Sequence, residues 1–151
     1  MIGRTMLAEV CALLNEHEAR YVLLGGFALQ LWGFARVTKD IDILIERSVP
    51  NAERVLQALA HLTGGLARDL LAEEIVKKPI TVVGDLPRVD IMTVAWQVGY
   101  AEASEAAKVF EVDGVTIPTA SIEHLIASKR TGRPQDAADI EVLEEIRKHV
   151  G

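Results

Sequence analysis

Apolar residues Leu7, Val10, Leu13 and Leu14 recur at helical spacing, which predicts an amphipathic helix over residues 4–19 with Thr5 as its cap. The run "YVLLGG" is continuously apolar until Gly25-Gly26, the signature of a short buried strand ended by glycines. "FALQLWGF" returns to helical character and is punctuated by Gly33. "DIDILIE" then alternates strictly, with Ile41, Ile43 and Ile45 on one face of a strand and Asp40, Asp42 and Leu44 on the other. Residues 50–61 read as a helix ending before Gly64-Gly65, and "LARDLLAEEIVKK" fits either a short helix or a loop entering a strand. A hairpin follows, with strands near 80–83 and 88–94 joined by "GDLP", then a brief helix in "YAEASEAAK". "VFEVDGVTIP" is a second hairpin turning on Asp113-Gly114. The chain closes with a helix from a Ser121 cap, a break at "TGRP" and the long amphipathic "QDAADIEVLEEIRKHV". This order predicts an α+β (mixed α/β) fold, a small mixed sheet with helices packed on it. Residues 1–151 are expected to form a single domain, with the C-terminal helices 121–149 packing on it.

Composition narrows the picture. Half the residues are hydrophobic (50%) and 25% are charged, an ordinary globular balance leaning apolar, which leaves room for a homo-oligomer interface. Lys and Arg number 16 against 22 Asp and Glu, a net charge of −6, so no extended DNA-binding face is expected, although a local basic pocket is compatible with it. The lone cysteine, Cys11, lies among apolar helix positions and reads as core. No apolar run approaches the roughly 20 residues that span a bilayer, and the first residues lack a signal-peptide layout. The expected compartment is therefore the cytoplasm, with no membrane partner.

The chemistry concentrates in residues 23–46. Asp40 and Asp42, two apart on a strand, point the same way, and Asp90 in the apolar strand "RVDIMT" could face the same space. Three carboxylates at close quarters repel one another and invite a divalent cation with oxygen ligands, above all Mg²⁺. Glycines at a strand–helix junction let backbone approach a ligand, and the helix N-terminus beyond them attracts phosphate. A metal site beside a phosphate cradle is the arrangement that phosphoryl chemistry requires.

Gly25-Gly26, thirteen intervening residues, Asp40-Ile41-Asp42 and the later Asp90 resemble the nucleotidyltransferase superfamily of the DNA polymerase β type. "GGFALQLWGFARVTKDIDI" is similar, more specifically, to the branch holding aminoglycoside and lincosamide nucleotidyltransferases and the toxins of abortive-infection systems. Gly25, Gly26, Ala28 and Arg36 match that branch, Thr38 stands where a small polar residue is common, and "LIASKRTGRPQDAADIEVL" resembles its C-terminal Lys segment. The resemblance implies an enzyme that binds a nucleoside triphosphate with two Mg²⁺ ions, an acceptor hydroxyl attacking the α-phosphorus and expelling pyrophosphate. Asp40, Asp42 and Asp90 would hold the metals and carry catalysis, Asp90 also accepting the acceptor's proton. Gly25 and Gly26 would present backbone to the triphosphate, with Arg36, Thr38, Lys39 and Lys129 as further nucleotide-binding residues. The acceptor implied is a small molecule, a tRNA or a protein, and a toxin–antitoxin partner is compatible with the resemblance.

Bland readings stand beside these. Arg36 and Lys39 also suit a solvated loop with a salt bridge to a carboxylate. Lys129, Arg130 and Arg133 also suit a helix C-terminus followed by Gly132 and Pro134, with Asp136 and Asp139 as helix N-terminal charges. The four histidines show no metal-ligand spacing. Trp32 and Trp96 read as packing residues. Two other functions compete: a non-catalytic relative acting as a binding or regulatory partner of the toxin–antitoxin type, and a metal-dependent nuclease, which the glycine pair and the negative charge disfavour.

Overall fold

The computed structural model describes residues 2–62 and 65–150. Helix α1 (Ile2–Glu16) leads through Glu18, in the left-handed conformation at φ 56°, into strand β1 (Tyr21–Leu24). Thr5 lies inside this helix rather than at its cap, because the helix begins two residues earlier than the apolar spacing alone suggests. Strand β1 ends where Gly25 and Gly26 begin, as expected, and the same two glycines open helix α2 (Gly25–Leu31). Strand β2 (Asp40–Ile45) is followed by helix α3 (Val49–Leu59), capped by the Ser48 hydroxyl, which accepts from the Asn51 backbone N–H at 3.3 Å.

The ambiguous "LARDLLAEEIVKK" holds a 3₁₀ turn at Leu66–Asp69 and one helical turn, α4 (Ala72–Ile75); Gly64, expected to follow the preceding helix, lies outside the described residues. Strands β3 (Ile80–Val83) and β4 (Arg88–Met92) form the first hairpin, followed by helix α5 (Tyr100–Glu105). Strands β5 (Lys108–Val112) and β6 (Val115–Thr119) form the second. Ser121 caps helix α6 (Ile122–Ser128), accepting from His124 N–H at 3.1 Å, and α7 (Pro134–Val150) opens on its proline.

The six strands form one mixed sheet in the order β3-β4-β2-β1-β6-β5, with β2 parallel to β4 and β1 parallel to β6. The alternation of β2 sorts its side chains as the sequence predicts. Ile41, Ile43 and Ile45 are buried, and Ile41 and Ile43 lie beside the buried Val89 and Ile91 of β4. At about 25 cal/mol per Å² of apolar surface removed from water, this aliphatic row anchors the two central strands and thereby the polar row on their other side. No helix among the described residues is long and apolar enough to cross a membrane.

Candidate active site

The β2–β4 register decides the site. Two parallel strands in register put paired residues on the same face, and the pairs here are Asp40 with Arg88 and Asp42 with Asp90. Asp90 is buried at 7% exposure, whereas Asp40 and Asp42 are half-buried. Arg88 donates to both carboxylate oxygens of Asp90, Nε to Oδ1 at 2.9 Å and Nη2 to Oδ2 at 3.3 Å, and its Nε lies 3.9 Å from Asp40 Oδ2. Asp42 is left without a cationic bond of its own. Burial, then the charge of Asp90 and a hydrogen bond shared with it, then Asp40, push the Asp42 carboxyl up to about 7, against a smaller opposing pull from Arg88.

The glycines explain how backbone comes so close to this carboxylate. Leu24 pairs with Asp42 across the β1–β2 ladder, so Gly25 follows directly beside it. Gly25 has φ +71°, and a Cβ there would lie 1.8 Å from Asp42 Oδ2. A Cβ on Gly26 would meet Thr38 Cβ and Oγ1, both at 2.6 Å. Both positions therefore exclude a side chain for reasons internal to the protein: Gly25 makes room for Asp42, and Gly26 makes room for the loop that delivers β2.

Gly25, Asp42, Asp90 and Lys129 line a common cleft of about 390 Å³, together with Trp96 and Arg133. Lys129, at the end of α6, donates to Asp139 Oδ2 at 2.8 Å and lies 3.7 Å from Asp136 Oδ1. Arg36 Nη1 donates to the same Asp139 oxygen at 2.5 Å, and Arg133 Nε donates to Asp136 at 2.7 Å. Asp136 and Asp139 are both buried at 6% exposure. Burial works to raise the Asp139 carboxyl, but the bonds and charges of Lys129 and Arg36 outweigh it and hold the carboxyl below its ordinary range. Burial is likewise outweighed at Asp136, by bonds from Thr131 and Arg133 and the charge of Lys129. These two aspartates are thus internal counter-ions tying the residue 33–39 loop to α6 and α7, a role their position near a helix start does not disclose.

Other predicted residues stand apart from the cleft. Arg36 borders a wider groove of about 670 Å³ with Arg4, Gln30, Phe34 and Val37, a groove that none of the three acidic residues lines. Thr38 packs on Gly26 and its hydroxyl lies 3.5 Å from the Asp40 carbonyl oxygen. Lys39 is exposed and makes no ion pair among the described residues. Cys11 is buried and its thiol is pushed up to about 12 by burial, as befits a core residue. Trp32 packs as expected, edge-on to Phe110 at 5.3 Å with Nε1 donating to the Ala120 carbonyl at 2.9 Å. Trp96 does not: it is 55% exposed and faces the cleft. Arg88, unremarked in the sequence, is the residue most intimately engaged with the carboxylates; a charged residue two before Asp90 on the same strand was the available signal.

A divalent cation fits this donor set in its chemistry. The ligands are all carboxylate oxygens, two of them face each other on adjacent strands, and Asp42 carries an uncompensated burial cost that a cation would relieve. Among the described residues no three histidine, cysteine or acidic side chains already converge on one point, and Arg88 holds Asp90.

A candidate nucleotidyltransferase from Thermotoga maritima (TM1012) superposes with a TM-score of 0.58 at 16% identity, over 97% of this chain and 91% of that one, so the two share a fold. JHP933 from Helicobacter pylori gives a TM-score of 0.48 at 20% identity, over 93% of this chain and 63% of that one. No curated protein matches the sequence. The profile of one family, the nucleotidyl transferase AbiEii toxins of type IV toxin–antitoxin systems, matches residues 9–148. The chain belongs to this AbiEii family of nucleotidyl transferase toxins.

Proposed function

We propose that the protein moves a nucleoside monophosphate from a nucleoside triphosphate to an acceptor hydroxyl, using Mg²⁺ held by Asp40, Asp42 and Asp90. The observation that carries this reading is the pairing of Asp42 with Asp90 on adjacent parallel strands, directly beside the backbone of Gly25. Bound Mg²⁺ would supply charge stabilisation at the attacking and leaving oxygens. The chain's own residues do the rest. Gly25 brings backbone rather than a side chain against Asp42 at the start of α2, where the triphosphate would lie. Lys129 and Arg133 place two cations in the same cleft, beside Asp136. Arg36 acts by fixing Asp139 and so Lys129, rather than by touching phosphate. As the acceptor oxygen bonds to the α-phosphorus and the bond to the β-phosphate oxygen breaks, the hydroxyl proton passes to an Asp90 carboxylate oxygen and pyrophosphate leaves. Arg88 must release Asp90 for this, exchanging one cation for another. The work of a nucleoside-triphosphate enzyme of a toxin–antitoxin family belongs in the cytoplasm, with an antitoxin as its partner.

Purified protein incubated with α-labelled ATP, CTP, GTP or UTP, Mg²⁺ and a panel of tRNA, protein and small-molecule acceptors tests the reading. Label transfer that requires Mg²⁺ and disappears in a folded Asp42→Ala variant is expected. Persistence of transfer in that variant, or no transfer to any acceptor, contradicts it.

A further inference from the structure

Trp96 sits at the first corner of a two-residue turn closed by paired hydrogen bonds between Ala95 and Val98, at 2.9 and 3.0 Å. Its φ is +60°, while Gln97 is not among the residues of positive φ. That combination is the type II′ turn, whose first corner is ordinarily glycine because a Cβ there is strained. A large aromatic residue at a glycine position, held by the surrounding turn, is a backbone outlier that folding alone does not favour. The fold gains little in return: the side chain is 55% exposed, and its indole N–H donates to no described residue.

What the strain does secure is position. Trp96 lines the cleft that also holds Asp42, Asp90 and Lys129. Besides its carboxylates, Asp42, Asp90 and Asp136, the cleft lining holds two further kinds of group. Lys129 and Arg133 are cationic and suit phosphate. Ile80 and Met92, cross-strand partners on β3 and β4, are apolar and share the cleft with Ala95 and Trp96. A ligand matching both kinds is an anionic chain attached to a flat, apolar-faced ring, which is the chemistry of a nucleotide. We propose that Trp96 is the stacking platform for the nucleobase of the donor nucleotide, an inference that rests on the donor-binding reading above and extends it. Stacking on an exposed indole tolerates every base, because each presents a π-face. The platform therefore adds affinity without selecting among ATP, CTP, GTP and UTP.

The chain has two tryptophans, so Trp32→Phe leaves Trp96 as the single indole reporter. This protein is titrated with Mg²⁺ and a non-hydrolysable ATP analogue, and separately with Mg²⁺ and inorganic tripolyphosphate, by fluorescence and calorimetry. Both ligands are expected to bind, and only the nucleotide to quench the indole. Trp96→Gly, which suits the turn, is expected to raise Tm, to weaken the nucleotide about tenfold and to leave tripolyphosphate unchanged; Trp96→Phe retains most nucleotide affinity. A Trp96→Gly protein that binds the nucleotide as tightly as the parent, or that melts lower, overturns the platform while leaving the donor reading intact. Failure of both ligands to bind the parent overturns the donor reading and the platform with it.

Discussion

Gly25 and Asp42 pack so closely that a side chain at 25 is excluded: a Cβ on Gly25 would fall 1.8 Å from Asp42 Oδ2. The conformation of Gly25, φ +71°, adds a second reason against any side chain. Gly25→Ala should therefore lose roughly 2–4 kcal/mol of stability from strain and overpacking together, and should displace the Asp42 carboxylate. Urea denaturation reads the first effect and loss of Mg²⁺-dependent nucleotide binding the second. An alanine variant of parental stability contradicts the close packing.

The raised pKa of Asp42 has a definite sign. A carboxyl at about 7 in the folded protein and near 4 when unfolded holds its proton more tightly in the native state between those values. Stability contributed by this group is thus present below the unfolded value and is lost as pH rises from about 4 to about 7. Asp42→Asn should stabilise the metal-free protein at pH 8 by up to a few kcal/mol, with the gain shrinking on acidification. Chemical denaturation at pH 5 and pH 8 in a chelator checks it; a gain larger at pH 5 contradicts the assignment.

Arg88 and Mg²⁺ compete for the same carboxylate. With its guanidinium on Asp90 at 2.9 and 3.3 Å, Arg88 compensates the charge of Asp90 in the absence of metal. Arg88→Gln should lower the metal-free Tm yet raise Mg²⁺ affinity several-fold, since a neutral amide no longer opposes the cation. Calorimetric titration of both proteins with Mg²⁺ decides it, and weaker metal binding in the variant would contradict competition.

Asp139 receives Arg36 and Lys129 from two separate segments, and it is buried. Asp139→Ala leaves two partly buried cations without their shared partner and should cost about 3 kcal/mol. Because the native carboxyl titrates below its ordinary value, its contribution is present above the unfolded pKa and is lost as pH falls through the folded one. An Asp139→Asn protein should accordingly lose stability less steeply on acidification than the parent, as thermal melts between pH 3 and pH 7 would record.

Much of this arrangement was legible in the residues, and the boundary of legibility is physical. Period-two alternation put Asp40 and Asp42 on one face of a strand, and glycines between an apolar strand and a helix marked a close backbone approach. Those signals are local. Whether Asp90 stands beside Asp42 depends on the parallel β2–β4 register, which no local pattern encodes. Arg36 and Asp139 are 103 residues apart in the chain, so their ion pair was equally hidden, and Asp139 read as an ordinary helix N-terminal charge. Trp96 reads as a packing residue in the sequence; its left-handed φ is a property of the turn and not of the residue type.

The central claim is that Asp42 and Asp90 hold a divalent ion beside the Gly25 backbone. Crystals soaked with Mn²⁺ and a non-hydrolysable nucleoside triphosphate, measured for anomalous scattering, test it most directly. The account predicts anomalous peaks about 2 Å from carboxylate oxygens of both aspartates, with Arg88 swung off Asp90 and the triphosphate against Gly25. A bound nucleotide with Arg88 still on Asp90 and no anomalous peak between the two strands would contradict it.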